Sequence, residues 1–100
     1  MENDFLLVEL FELYKGLLTD KQRETFSLHY LYDLSLGEIA EQDGTARQSV
    51  FATLKQVKGK LVEFESVLHL HQKYQEIGKV ADSISDEELS NKLKEIIGIG

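Results

Sequence analysis

The stretch SLGEIAEQDGTARQSVFATLKQVKGK, Ser35 to Lys60, reads as two helices joined by a tight turn. Ala40 is small enough on an inner helix face to let a second helix cross nearby. Gly44 follows four residues later, where the chain must leave the helix with φ > 0. Val50 is then the first core residue of the next helix. A small residue, a turn glycine and a β-branched apolar residue at this spacing are what a helix-turn-helix needs, because the steep crossing leaves no room for a larger side chain at the contact. Ser35 with Glu38 makes a capping box at the head of the first helix, and Thr45 with Gln48 is expected to make another at the head of the second. Val50, Leu54, Val57 and Leu61 recur at three and four residues and form one buried stripe. That leaves Arg47, Gln48, Ala52, Lys55 and Lys58 turned away from the core.

Charge separates function from packing. The chain carries 18 Asp and Glu against 11 Lys and Arg, a formal net charge of −7. Yet Ala46 to Lys60 holds Arg47, Lys55, Lys58 and Lys60 and no acid. A basic helix on an acidic body is oriented. It suits a DNA major groove, with Gln48 near base edges and the lysines on phosphates. The plainer alternative is that these lysines only solubilise an exposed face. The acidic remainder repels phosphates, so any nucleic-acid contact must be local rather than indiscriminate.

One hundred residues support one domain, or a core domain with a helical extension. Proline and cysteine are absent, which excludes a disulfide framework and a thiolate zinc site and fits a reducing cytosol. The N-terminal run MENDFLLVELFELYKG is acidic and interrupted by Glu9, Glu12 and Lys15, so it is expected to be neither a signal peptide nor a membrane span.

Asp4 to Leu18 reads as a helix with apolar residues over more than one face, which pack either within the chain or partly on a second copy. A second helix runs from Asp20 to Tyr32, headed by a Thr19–Gln22 box, with Phe26, Tyr30 and either Leu31 or Leu34 inward. His29 there reads as structural. Leu54, Val57, Leu61, Phe64, Leu68 and His71 keep a heptad-like spacing. They predict one helix from Thr45 to about Ile77, or two nearly collinear ones hinged at Gly59, with Gly78 as the stop. Such a seam suggests a dimer contact; the alternative is that it folds back against the first helix. His69 and His71 lie about 200° apart around a helix and cannot chelate together. Lys79 to Ser83 is a connector, Ser85 and Glu88 make a last box, and a short helix ends at Gly98 with Ile99 in hydrophobic contact. No cysteine nucleophile or phosphate-cradling glycine loop is present, and Ser49 has no evident histidine base, so no enzymatic activity, cofactor or metal is expected.

LTDKQ at Leu18 to Gln22, YDLSLGEIAE at Tyr32 to Glu41, RQSVF at Arg47 to Phe51 and LH at Leu68 to His69 together resemble the YlxM-type bacterial helix-turn-helix family. Its fold is similar to the promoter-reading fourth region of sigma factors. The resemblance implies a cytoplasmic DNA-binding regulatory or accessory protein. It also implies a link to the signal recognition particle pathway, which the family owes to genes lying beside those for the particle's GTPase components. Arg47 and Gln48 match the usual head of the recognition helix, Lys55 a basic position on its outer face, and Phe51 a usual aromatic. The chain departs from the pattern at Asp43 and Thr45, where apolar residues are usual, at Ala46, where a capping serine is common, and at Gln56, which replaces an arginine.

The expectation is therefore an all-α helix-turn-helix bundle, sigma region 4-like or a winged-helix-type three-helix core without a wing, with a long C-terminal helical extension. Residues 1–77 would hold the helix-turn-helix with its N-terminal and long recognition helices, and residues 78–100 the connector and last helix. Arg47, Gln48, Ser49, Ala52, Lys55 and Lys58 are the candidate DNA-contacting residues, and a homodimer would address paired half-sites. The alternatives are an RNA- or protein-binding accessory of the signal recognition particle without sequence-specific DNA binding, and a dimerisation scaffold that merely inherits the turn motif.

Overall fold

Caps and apolar stripes place six α-helices in the computed structural model, which describes residues 4–98. They are α1 Asp4–Tyr14, α2 Asp20–Tyr30, α3 Leu36–Asp43, α4 Arg47–Leu68, α5 Leu70–Ser83 and α6 Glu87–Ile96, with a 3₁₀ turn at Lys15–Leu17 after α1. Among the described residues there is no strand, and no helix is long and apolar enough to cross a membrane. The chain divides into two compact units, the first ending at Val67 and the second beginning at Leu68.

In the first unit α1 buries a single stripe, Leu7, Leu10, Phe11 and Tyr14, spaced as one helix face requires. Phe11 stacks on Phe26 of α2 at 4.4 Å between ring centroids, and Phe26 stacks in turn on Tyr30 at 4.5 Å. Such pairs contribute about 0.5–1.5 kcal/mol beyond their area. Phe26 is fully buried, so Phe26→Ala would cost about 3–5 kcal/mol. The Thr19–Gln22 box forms as expected. Arg23 reaches back to donate to the carbonyls of Lys15 and Leu18 at 3.0 and 2.6 Å, closing the 3₁₀ turn that holds Gly16. Helix α2 stops two residues short of Tyr32. Leu34 N–H donates to the Leu28 carbonyl at 2.9 Å while Asp33 takes φ 59°, and His29 Nδ1–H donates to the Leu34 carbonyl at 2.8 Å. His29 is thus a brace for the loop into α3. Leu34 is half-buried and Leu31 exposed, which decides between the two candidates for the inner stripe.

Helix α4 buries Val50, Leu54, Val57 and Leu61. The seam continues to Phe64, but Tyr14 of α1 closes it there: the rings lie 5.8 Å apart, and the Tyr14 hydroxyl donates to Glu65 Oε1 at 2.5 Å. Residues 54–64 of the seam therefore fold back within the chain instead of awaiting a partner. The expected continuous helix to Ile77 is corrected as well. The break falls at His69, which adopts φ 55° and ψ 29°, while Gly59 lies inside an unbroken helix.

In the second unit Gly78 does not end a helix. It is buried with Ala81 inside α5, and the residues expected as connector belong to that helix. Ser90 of α6 meets α5 at Ala81: its buried hydroxyl donates to the Ala81 carbonyl at 2.6 Å, an approach a bulky side chain would block. Lys94 and Asp82 add an ion pair at 2.5 Å between the same helices. The cap of α6 is Asp86, which accepts from the Leu89 amide at 3.1 Å, not the Ser85 box. Gly98 takes the left-handed position after α6 at φ 79°. The contact assigned to Ile99 lies outside the described residues.

Candidate nucleic-acid interface

Helices α3 and α4 meet through the turn at Gly44. Ser35 accepts from the Glu38 amide at 3.1 Å, and Glu38 accepts from the Ser35 amide at 2.9 Å, so the expected box heads α3. Hydrogen bonding to the carboxylate from Ser35, its backbone amide first and its side chain second, holds the Glu38 carboxyl below its ordinary value. Ile39 and Ala40 form the buried side of α3. Gly44 then turns with φ 67° and ψ 32°, and the Thr45 amide donates to the Ala40 carbonyl at 2.9 Å, closing the helix end.

That bond also explains a correction. The Thr45–Gln48 box does not form, because Thr45 is held in the turn and α4 starts at Arg47 with Ala46 in the cap position. The Ala46 carbonyl receives the Ser49 and Val50 amides at 3.0 and 3.3 Å, but its side chain has no oxygen to offer the first-turn amides.

Around α4, at about 100° per residue, Arg47, Lys58, Phe51 and Lys55 lie within about 80° of one another, and Gln48 and Ala52 extend the sector to about 140°. Arg47, Gln48, Ala52 and Lys55 are exposed. Lys58 is half-buried, its Nζ 5.4 Å from the Tyr30 ring centroid in cation–π range. Ser49 is exposed but lies about 200° round from Arg47, so it does not share this sector. Its carbonyl accepts from the Thr53 hydroxyl at 3.0 Å. Lys60 is likewise on the far side, about 220° from Arg47.

No carboxylate among the described residues pairs with Arg47 or Lys55. The acid nearest the turn, Asp43, is bound to Lys21 of α2 at 2.5 Å, with its side chain only 12% exposed. A residue that departs from the family pattern is thereby converted into a tie between α2 and α3. Gln56 is similar. It accepts from the buried Gln22 side chain at 3.3 Å, on the α2 side of the helix, so its difference from arginine does not thin the basic sector.

A profile described as "Putative helix-turn-helix protein, YlxM / p13 like" matches residues 1–98. The chain belongs to this YlxM/p13-like helix-turn-helix family. Among the relatives, UPF0122 proteins of Bacillus thuringiensis (strain Al Hakam), Bacillus cereus (strain Q1) and Bacillus anthracis (strain A0248) are each 44% identical to it over 93 residues. The aligned region takes in 88% of this chain and 84% of each relative. The α3–turn–α4 unit described above has the helix-turn-helix form that the profile's description names.

One residue of this family member's outer face stands apart from the candidate set. Phe51 is 57% exposed, and it separates two open hollows. One, about 430 Å³, is lined by Leu36, Arg47, Gln48 and Phe51; the other, about 410 Å³, lies between α2, α3 and α4 beside Lys55 and Lys58. The signal was present in the sequence, since Phe51 directly follows Val50 and so falls out of step with the Val50, Leu54, Val57, Leu61 stripe.

Proposed function

We propose that this chain is a DNA-binding regulatory protein that docks α4 of its helix-turn-helix in the major groove. The observation that carries the reading is the outward sector of α4 between Arg47 and Lys60, which holds no acid and in which Arg47 and Lys55 stand exposed without carboxylate partners among the described residues. Arg47 and Gln48 approach base edges, Lys55 and Lys58 hold phosphates, Ala52 lies at the margin, and Ser49, outside the sector, takes no part. Ala52 permits close approach because it presents nothing beyond a methyl group. Catalysis forms no part of this reading.

The finer reading is a cytoplasmic regulator, with the signal recognition particle pathway as the setting that family resemblance suggests. Pairing of two copies would use apolar positions left open in the chain, such as Phe5, which is 73% exposed. Sedimentation equilibrium of the chain with and without Phe5→Ser tests that pairing.

Fluorescence anisotropy against labelled duplex tests the main reading. The two phosphate contacts assigned to Lys55 and Lys58 would give a log–log salt slope of about −1.8, and Lys55→Glu with Lys58→Glu should abolish it. A flat salt response, or an unchanged slope in the double variant, would remove DNA from the account. Retention of structured RNA with no retention of duplex would favour the accessory-factor reading instead.

A further inference from the structure

Phe51 has no donor or acceptor, and it is placed where a polar contact residue would be expected. Its ring is more than half exposed, one helical turn from Arg47 on one side and from Lys55 on the other. If those cations meet the strands of a duplex, as the proposed function requires, the ring between them reaches toward the groove floor. The apolar group a major groove offers at a base edge is the thymine 5-methyl. Gln48 lies three residues before Phe51, about 60° away on the same surface, and a glutamine amide pairs with adenine N6 and N7. Two neighbouring side chains therefore favour the two bases of A·T pairs by different chemistry. A stacking platform for single strands fits less well, because among the described residues no other aromatic ring stacks with Phe51, whereas such platforms stack successive bases.

We propose that Phe51 is a specificity-determining residue that contacts thymine methyls in the major groove and, with Gln48, directs this chain to duplex containing A·T pairs. The inference rests on the DNA-binding reading. The experiment separates the two.

The full chain is titrated by anisotropy into three pools of labelled duplex with identical flanks and randomised centres, made of A·T pairs, of A·U pairs, or of G·C pairs. The A·U pool differs from the first only in lacking the 5-methyl groups. Wild type should bind the A·T pool about fourfold more tightly than the A·U pool, the effect of burying about one methyl. It should bind the G·C pool more weakly than either. Phe51→Ala should bring the A·T and A·U affinities together while keeping the salt slope, and Phe51→Leu should keep part of the preference. Circular dichroism melts of both variants check that they fold. Equal wild-type affinity for the A·T and A·U pools, with salt-dependent binding intact, overturns the role of Phe51 and leaves DNA binding standing. Tighter binding to the separated single strands also overturns it. Binding to no pool overturns both readings.

Discussion

Two glycine-to-alanine substitutions in the helix-turn-helix should act with opposite signs, and the backbone says why. Gly44 sits at φ 67°, ψ 32°, and a Cβ built there meets nothing within 4 Å. Gly44→Ala therefore introduces no clash, and its effect is purely conformational. The left-handed region costs an L-residue about 1–2 kcal/mol. Loss of unfolded-chain freedom returns about 0.4–1 kcal/mol. The net is a destabilisation of about 1 kcal/mol, lowering Tm by about 4–8 °C. Gly59 also has open space around its would-be Cβ, but it lies exposed inside regular α4. Gly59→Ala should stabilise by about 0.8–1 kcal/mol through helix propensity. Urea melts followed by far-UV circular dichroism would read both, with an unchanged m value. The double variant should fall near wild type, since separated sites add. If Gly59→Ala destabilised the protein, or if Gly44→Ala cost about 3 kcal/mol or more, the assignment of turn and helix at these positions would be wrong.

Other consequences are equally direct. Ala46→Ser should stabilise α4 by about 1 kcal/mol by supplying the missing cap oxygen, seen as a higher midpoint in the same urea melts. Gln56→Ala leaves the buried Gln22 amide without its 3.3 Å acceptor and should cost about 1 kcal/mol, while leaving the salt slope of duplex binding unchanged. Glu38 has a folded-state pKa below its ordinary value of 4.5, so the stability it contributes is present above that pH and fades as pH falls through the lowered value. Glu38→Gln should accordingly narrow its stability gap from wild type as an acid titration proceeds; a gap independent of pH would contradict the capping role.

Much of the first unit was legible because its signals are local. Thr19–Gln22 and Ser35–Glu38 satisfy amides within one turn, Gly44 is the residue a left-handed exit prefers, and the stripe from Val50 to Leu61 needs only periodicity. The failures came where the deciding contact is distant or the residue choice unusual. His69 enters a conformation that histidine adopts seldom, so the apolar spacing ran straight through the break. Gly78 looked like punctuation, but it is buried in α5, the helix that Ser90 of α6 meets at Ala81. Thr45 has the side chain of a cap, but its amide is committed to the Ala40 carbonyl. The basic sector was visible from composition and spacing alone. That Asp43 and Gln56 are engaged by α2 was not, since Lys21 and Gln22 stand 22 and 34 residues away from them.

The left-handed residue at His69 also bears on how this chain behaves among its neighbours. Without it, helical propensity and apolar spacing from Arg47 through Ser83 would favour a single rod, about 55 Å long at 1.5 Å per residue. Its distal stripe would invite zippering with other chains. Interrupting the rod at His69 leaves two shorter helices, each in its own compact unit, so the apolar spacing that would favour zippering is divided at the cost of a modest local backbone penalty.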